Sequence, residues 1–261
     1  MHCEPADESP ADDKECEPAL PIATPEDLER EIEAVLLARE ASGKEPLPAG
    51  AVTRLATHAH LMLMANATRN LTRITEPREV AVKHVLDSLL AVDAVDLRGA
   101  RVLDLGTGAG YPGIPIAIAV PSASVVMIDG TEKKVAFVDD ALEALALPNA
   151  AALHTRAEVH LKDYAYDYLV ARAVGPLDRL LPLLLPRRSQ FSALVALKGP
   201  SGPEEWNRAV ANQTARGFDL AAAVEEELPH GAGKRTILVI VPTGARRLRP
   251  RADAGKRAEG S

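Results

Sequence analysis

The feature that most constrains this 261-residue chain is a glycine-rich segment that follows a short apolar run. Residues 101–115 read Arg-Val-Leu-Asp-Leu-Gly-Thr-Gly-Ala-Gly-Tyr-Pro-Gly-Ile-Pro, and apolar residues continue from Ile114 to Val120. This pattern predicts a strand, a tight turn and the start of a helix. Glycines suit such a turn because the backbone can bend sharply and approach a ligand closely. We therefore predict a nucleotide-binding loop, with a purely structural turn as the alternative.

The spacing inside the loop separates two classes of ligand. Gly108, Gly110 and Gly113 match the dinucleotide pattern G-x-G-x-x-G, but the strand is predicted to end just before Gly106, which starts the turn. Counted from Asp104, the loop reads Asp-x-Gly-x-Gly-x-Gly. This form is similar to loops that hold S-adenosylmethionine, whose aminoacyl end is a zwitterion rather than a pyrophosphate.

A second apolar run, residues 124–129, ends in a carboxylate. Asp129 lies 23 positions after Gly106, a spacing that fits the second strand of a nucleotide-binding βαβ unit. At that strand tip the carboxylate would accept hydrogen bonds from both hydroxyls of a ribose. The alternative is that Asp129 only caps the following helix, with Glu132 completing a capping box.

Charge and cysteine content limit the cellular location and the kinds of partner that we expect. The net charge is −7, yet residues 1–45 hold 14 acidic and four basic residues, so the remaining chain is mildly basic. Cys3 and Cys16 offer neither a disulfide framework nor zinc spacing, which favours a reducing cytoplasm. The sequence shows no signal-peptide core, and its apolar runs are short and interrupted by proline. We expect a cytoplasmic protein with no membrane partner, no metal and no implied oligomer.

The chain length supports one sizeable α/β domain with appendages. We predict a disordered acidic leader at 1–24, a helical region at 25–98, a nucleotide-binding α/β domain at 99–243 and a disordered basic tail at 244–261. The helical region should contain helices at about 25–43 and 49–66 and a third around 82–88. His58 and His60 are two positions apart and would point in different directions on a helix, so we expect core or surface histidines rather than metal ligands.

Strands and helices alternate from Arg101 onward, which predicts a parallel sheet covered on both faces. We place strands at 101–105, 124–129, 151–155, 166–173 and 192–198, and helices at about 111–120, 131–146, 176–185 and 203–216. Two further extended segments, 220–228 and 236–241, are joined by a short turn, so the last strand should run antiparallel. This arrangement resembles class I methyltransferases more than dinucleotide dehydrogenases, and its ligand would lie beyond the carboxyl ends of the strands.

Charged residues stand at the predicted ends of these strands. Ala157 and Glu158 follow the third strand, close to where an adenine would lie, while Arg172 ends the fourth strand and Lys198 the fifth. A buried charge is costly unless it meets an anion. For Arg172 we favour a ligand as that anion, and for Lys198 both readings stay open. The alternative for both cations is an ion pair with Glu158 or with the acid that precedes the glycine loop.

Six segments together closely resemble the small-subunit ribosomal RNA methyltransferase G family, also called glucose-inhibited division protein B. They are Asn70-Leu71-Thr72, Lys83 to Ser88, Asp104 to Pro115, Ala171-Arg172-Ala173, Ala196 to Gly199 and Lys234-Arg235. The resemblance runs from about Leu47 to Pro242 and leaves out the leader and the tail. Where family members usually have aromatic residues ahead of Asn-Leu-Thr, this chain has none between Met64 and Arg69.

The resemblance implies a Rossmann-like class I S-adenosylmethionine-dependent methyltransferase with an N-terminal helical extension. It would methylate N7 of the guanine at position 527, in the 530 loop, of 16S ribosomal RNA, either naked or in the small ribosomal subunit. The family's cofactor contacts map onto Gly106, Tyr111, Ala157, Glu158 and Arg172. Gly108 from the loop pattern and Asp129 from the strand spacing complete the predicted cofactor site.

Guanine N7 keeps a free lone pair at neutral pH, so an in-line attack on the methyl group needs no general base. We therefore assign no catalytic acid or base. The N7 edge is inaccessible in A-form RNA, so the target should be unpaired or extruded. Candidate phosphate contacts are Arg69, Arg73, Lys83, Arg235 and the tail from Arg246 to Arg257, with a solvated surface as the alternative for each.

Three other functions compete with this interpretation. An NAD-dependent oxidoreductase would use a similar loop, but the sequence offers no convincing hydride-relay histidine or Tyr/Lys pair. A small-molecule methyltransferase would share the same sheet. A non-catalytic RNA-binding module would not need Gly106, Asp129 and Arg172 together.

Overall fold

The computed structural model describes residues 22–244 and organises them around one seven-stranded sheet. The strands are β1 (Arg101–Leu105), β2 (Ser124–Asp129), β3 (Ala150–His154), β4 (Tyr166–Arg172), β5 (Phe191–Lys198), β6 (Phe218–Leu228) and β7 (Gly233–Pro242). Their order across the sheet is β3-β2-β1-β4-β5-β7-β6. Strands β1 to β5 pair in parallel, and β7 runs antiparallel to both β5 and β6. The predicted class I methyltransferase fold, with its antiparallel last strand, is confirmed.

The helices of the described residues fall into an N-terminal group and a group that connects the strands. They are α1 (Pro25–Ala41), α2 (Ala51–Arg69), α3 (Pro77–Val80), α4 (Asp87–Ala94), α5 (Gly113–Ala119), α6 (Glu132–Ala144), α7 (Ala157–His160), α8 (Leu177–Leu184) and α9 (Gly202–Ala211). A π-helical stretch, Ala81–Leu86, joins α3 to α4, and a 3₁₀ stretch, Leu185–Gln190, follows α8. The third predicted helix is therefore a continuous helical segment whose middle departs from α geometry.

The C-terminal ends of α9 and α2 differ from the predicted ones by five and three residues, and local hydrogen bonds explain both. The sequence predicts that α9 reaches residue 216, but it ends at Ala211, because the amides of Thr214 and Ala215 both turn back to the carbonyl of Ala209. Helix α2 continues three residues beyond the predicted end at Asn66. The Asn66 side chain accepts hydrogen bonds from the backbone amides of Leu71 and Thr72, at 2.7 and 2.9 Å.

The N-terminal helices pack onto the sheet rather than beside it. Helix α1 buries Leu28, Ile32 and Val35 in the same hydrophobic core that holds Val102 of β1. Residues on both sides of position 98 thus share one core. The division into a helical region at 25–98 and an α/β domain at 99–243 stays a prediction. A second core lies on the other face of the sheet and takes the alternate residues of β1, such as Leu103.

Two edges of the sheet are used below to locate residues. The carboxyl edge is where β1 to β5 end, and the amino edge is where they begin. Because β7 runs antiparallel to β5, with Thr236 opposite Lys198, β7 begins at the carboxyl edge and ends at the amino edge.

The predictions for the leader and the tail fall mostly outside the described residues, as do Cys3, Cys16 and the basic run from Arg246 to Arg257. Within residues 22–244, no helix combines the length and the apolar character needed to cross a membrane. The same residues hold no group of three metal-ligating side chains, and His58 and His60 make separate hydrogen bonds to the carbonyls of Ala109 and Ala23.

Candidate active site

The glycine loop leaves β1 at the carboxyl edge and holds its shape through backbone conformation. Gly106, Gly108 and Gly110 all have positive φ angles, between 61° and 86°. Residues other than glycine adopt such backbone angles only with strain. A Cβ on Gly106 would lie 3.2 Å from Val174, whereas a Cβ on Gly108 would meet no side chain within 4 Å. The loop therefore offers an open backbone concavity at Gly108, which suits the close approach of a ligand.

Asp104 lies fully buried beneath this loop and fixes the start of α5. Its Oδ2 accepts a hydrogen bond from the Gly113 amide at 2.9 Å, and a Cβ on Gly113 would lie only 2.3 Å from the side chain of Met127. Burial raises the pKa of Asp104 to about 6, against which the bond from Gly113 acts. Its Oδ1 is buried without a hydrogen-bond partner among the described residues. The carboxyl group thus has capacity for one more donor.

Asp129 stands at the tip of β2, directly beside the loop. Its Oδ2 accepts from the Gly108 amide at 3.1 Å and its Oδ1 from the Thr131 amide at 2.9 Å. The alternative of a capping box with Glu132 is not what forms, because Thr131 is the N-cap of α6 and its side chain makes no capping hydrogen bond. Asp129 ties the loop to the second strand, and its ribose contact stays a prediction.

Ala157 and Glu158 begin the short helix α7 and lie half-buried next to the β2 tip. The connection is direct, since the Thr155 amide donates to the carbonyl of Asp129 at 3.2 Å. Glu158 forms no ion pair or hydrogen bond within residues 22–244. The structure therefore brings the predicted adenine-side residues and the predicted ribose carboxylate to one part of the carboxyl edge.

Arg172 ends β4 and meets a carboxylate, but not one that the sequence suggested. Its Nη1 donates to Asp87 Oδ2 at 3.2 Å, and Asp87 Oδ1 also accepts from Arg235 Nε at 2.9 Å. The suggested pairing of Arg172 or Lys198 with Asp104 or Glu158 is wrong. Asp104 is turned inward to α5, and Lys198 instead contacts Glu205 at 2.9 Å and the Gly175 carbonyl.

The π-helical stretch explains how Arg172 reaches a backbone acceptor. In a regular α-helix the Asp87 amide would donate to the carbonyl of Lys83. Here it donates to the carbonyls of Val82 and His84, and the Lys83 carbonyl accepts from Arg172 Nη1 at 2.8 Å. Such π segments occur often at functional sites.

His84 completes the side-chain cluster that we call the Asp87 network, made of Thr72, His84, Asp87, Arg172 and Arg235. Its Nε2 lies 2.8 Å from Thr72 Oγ1 and its Nδ1 lies 3.3 Å from Arg172 Nη2. Since a guanidinium can only donate, Nδ1 is the acceptor and Nε2 carries the proton. Burial, with the nearby charge of Arg172, lowers the His84 pKa to about 3, so the ring is neutral.

Tyr111 links the glycine loop to the Asp87 network. Its ring lies between His58 and His84, with centroid distances of 4.5 and 4.8 Å, and Arg172 Cζ lies 5.4 Å from its centroid. Burial raises the Tyr111 pKa, and the hydroxyl has no partner among the described residues. His58 donates to the carbonyl of Ala109 at 2.8 Å, and burial lowers its pKa to about 4. Tyr111 is therefore part of the glycine loop and also packs against the Asp87 network.

The sequence pointed to the residues of the Asp87 network but not to the contacts between them. Thr72, His84, Asp87 and Arg235 all belong to segments that carried the family resemblance, but spacing gave no sign that they meet Arg172. Most candidate phosphate contacts are also occupied. Arg69 pairs with Asp140, Lys83 with Glu79 and Arg235 with Asp87, while Arg73 is exposed without an ion pair within residues 22–244.

Comparison with known proteins gives a consistent set of relatives. A family model described as "rRNA small subunit methyltransferase G" matches residues 52–230. A ribosomal RNA small subunit methyltransferase G from Pelotomaculum thermopropionicum is 40% identical over 189 residues, covering 70% of this chain and 79% of the relative. The Bacillus subtilis protein of the same name is 38% identical over 180 residues, covering 67% and 75%. A solved S-adenosylmethionine-dependent methyltransferase from Aquifex aeolicus aligns with 20% identity and a TM-score of 0.48, covering 64% and 94%.

Proposed function

The chain belongs to the rRNA small subunit methyltransferase G family, and from this membership we propose that it methylates N7 of one guanine in the 530 loop of 16S ribosomal RNA. It is an S-adenosylmethionine-dependent ribosomal RNA methyltransferase. The proposal concerns the acceptor atom, the residues that hold the cofactor and the state of the RNA. An enzyme with this substrate would work in the cytoplasm.

The residues at the carboxyl edge fit S-adenosylmethionine. Gly106 and Gly108 form a backbone concavity, since a Cβ on Gly106 would press against Val174 and a Cβ on Gly108 would stand in the open space above the loop. Asp129 would accept the ribose hydroxyls in place of the Gly108 amide, and Ala157 with Glu158 would border the adenine. The unpaired Oδ1 of the buried Asp104 is suited to a cationic group at the aminoacyl end.

Arg172 and Tyr111 would close the other side of this cofactor site. The Arg172 guanidinium keeps donors beyond those used by Asp87 and the Lys83 carbonyl. A carboxylate at the aminoacyl end would be a suitable acceptor for them. The Tyr111 hydroxyl, buried without a partner among the described residues, is a further available donor. S-adenosylmethionine supplies an electrophilic methyl group on a positively charged sulfonium.

The observation that carries the N7 assignment is that neither histidine at the site is a suitable general base. His84 uses both ring nitrogens, on Thr72 and on Arg172, and burial lowers its pKa to about 3. His58 donates through Nε2 to the Ala109 carbonyl, and its Nδ1 is buried without a partner within residues 22–244. Burial lowers the pKa of this ring to about 4, so it is a weak base near neutral pH. Guanine N7 attacks through a lone pair that carries no proton, so such a site needs only to position the base and exclude water. A hydroxyl or exocyclic amino acceptor would have to lose a proton.

The test is a methyl-transfer assay with labelled S-adenosylmethionine and three acceptors, namely naked 16S ribosomal RNA, assembled small subunits and a small-molecule pool. We expect label at N7 of one guanine in small-subunit RNA. Arg172→Ala should lower transfer by at least about 100-fold, because it removes a cofactor contact and leaves Asp87 with one cation fewer. Arg208→Ala, at an exposed position on α9, is the control and should transfer normally.

The outcomes separate the competing functions. Label in a small molecule but in no RNA would favour the small-molecule methyltransferase. RNA binding without cofactor binding would favour the non-catalytic module. Label at an RNA atom other than a guanine N7 would contradict the acceptor while leaving the family activity intact. The ratio of label in naked RNA to label in assembled subunits identifies the state of the substrate.

A further inference from the structure

Three cations at the carboxyl edge lie in ion pairs within the protein. Arg172 and Arg235 share Asp87, and Lys198 pairs with Glu205. Ion pairing of this kind holds a site in shape, but it lowers the attraction that the same cations exert on a phosphate backbone. An RNA substrate therefore gains little electrostatic affinity from these three residues.

A different group of cations gathers at the amino edge. Arg187 and Arg188 lie in the 3₁₀ stretch just before β5, and Arg216 lies just before β6. We call these three residues the amino-edge arginines. Gly217, next to Arg216 in the chain, lies close to Arg188, since a Cβ on Gly217 would lie 3.8 Å from Arg188 Cδ. The end of β7 reaches the same place, because the Thr243 amide donates to the Gly217 carbonyl at 3.0 Å.

The amino-edge arginines are uncompensated. None of the three forms an ion pair within residues 22–244, and both Arg188 and Arg216 are exposed. The Nε of Arg187 is buried without a hydrogen-bond partner in the same part of the chain. Guanidinium groups present planar donor forks that match phosphate geometry. This cluster is therefore suited to bind an anion with closely spaced phosphates.

The sequence extends this charge beyond the last described residue. The end of β7 at the amino edge is followed in the sequence, after Thr243 and Gly244, by a basic stretch. Its cations are Arg246, Arg247, Arg249, Arg251, Lys256 and Arg257.

We propose that the amino-edge arginines form a second RNA-binding surface, which contacts the phosphate backbone of a segment distant from the methylated base. The eight residues of β5 separate this surface from the carboxyl edge, a distance of about 25 Å. The inference rests on the proposed RNA substrate. It assigns base positioning to the carboxyl edge and a salt-dependent share of the affinity to the amino edge.

The test measures the affinity of the full-length protein for 16S ribosomal RNA across a series of salt concentrations. Arg188→Gln/Arg216→Gln removes two charges while keeping most of each side chain. Losing two phosphate contacts should reduce the slope of log affinity against log salt by about 1.4 and weaken binding on the order of tenfold at 0.1 M salt. S-adenosylmethionine binding should not change. Arg188→Lys/Arg216→Lys should retain most of the affinity and the slope.

The matched control is Arg54→Gln/Arg208→Gln, which removes the same charge from exposed positions on α2 and α9 that form no ion pair within residues 22–244. If this control weakens RNA binding as much as the test variant does, a general charge effect explains the result and the inference is overturned. It is also overturned if the wild-type protein binds and methylates the RNA but the Gln variant keeps the wild-type slope. A wild-type protein that binds no ribosomal RNA would overturn the proposed acceptor as well. Poor RNA binding by Arg188→Lys/Arg216→Lys would show that loss of charge does not cause the weaker binding, and this result would also overturn the inference.

Discussion

The glycine loop and the Asp87 network both shape the carboxyl edge, but they are stabilised by different forces. The loop is one contiguous segment whose form depends on backbone conformation and on the absence of side chains at Gly108 and Gly113. The network joins side chains from the N-terminal helices, β4 and β7 through charge and hydrogen bonds. Substitutions in the loop should therefore lower stability through steric overlap. Substitutions in the network should lower it by leaving charges without a partner.

The largest effect is expected from Asp87→Asn. This change keeps the side-chain volume but leaves Arg172 and Arg235 without their shared carboxylate in a mostly buried place. We expect the free energy of unfolding to fall by about 3 kcal/mol, as for other broken buried pairs. Urea denaturation would measure it, with Asp140→Asn as the control. Asp140 pairs with Arg69 on the surface, so its loss should cost less than about 0.5 kcal/mol. Equal costs for the two variants would contradict a charge-stabilised network.

The corresponding change in the loop is Gly113→Ala. The added methyl would lie 2.3 Å from Met127 and 2.8 Å from Asp104 Oδ2, so the core beneath the loop must move. We expect a loss of about 2 kcal/mol in urea denaturation, together with weaker binding of S-adenosylmethionine. Gly199→Ala is the control, because a Cβ there meets nothing within 4 Å. If both variants unfold at the same urea concentration, steric exclusion does not explain the glycine at position 113.

The last effect is a pH dependence in which the Asp87 network and the glycine loop respond to acid in opposite directions. The pKa of His84 falls from 6.5 when unfolded to about 3 when folded, so its contribution to stability is complete above pH 6.5 and is lost as the pH falls below it. The pKa of Asp104 rises from 3.8 to about 6, so acidification from pH 6 to pH 4 adds stability. Each proton changes the slope by at most about 1.4 kcal/mol per pH unit.

Two variants separate these contributions. His84→Gln should lose less stability than the wild-type protein between pH 6.5 and pH 4, and Asp104→Asn should lose more. Denaturation midpoints measured across this range provide the check. Parallel pH profiles for all three proteins would show that neither group changes its protonation on folding. His60→Gln serves as a control, since His60 makes only a part-buried hydrogen bond to the Ala23 carbonyl.

The loop was predictable because its information is local. A β-rich run followed by glycines at fixed spacing specifies a strand, a turn and a helix without reference to the rest of the chain. Parallel strands end at one edge, so the tips of β2 and β4 were placed near the loop by topology alone. The structure puts Asp129 and Arg172 there, and their contacts with a cofactor stay a prediction.

The Asp87 network was not predictable in the same way. Asp87 is 85 positions from Arg172 and 148 from Arg235, and only the packing of α4 against β5 and β7 brings them together. Asp104 was the more obvious partner because it lies on the neighbouring strand. Its carboxyl group instead accepts a hydrogen bond from the Gly113 amide. The side-chain rotamer of Asp104 decides this, and the sequence does not reveal it.

The π-helical stretch has a consequence for how the chain can vary in length. It frees the Lys83 carbonyl for Arg172 while the helix beyond it still presents Asp87 to the sheet. Deleting one residue from 81–86 would restore α geometry, and the carbonyl at position 83 would then accept a hydrogen bond from the helix itself. Arg172 would lose this backbone acceptor. Related chains should therefore tolerate substitutions in this segment far better than insertions or deletions.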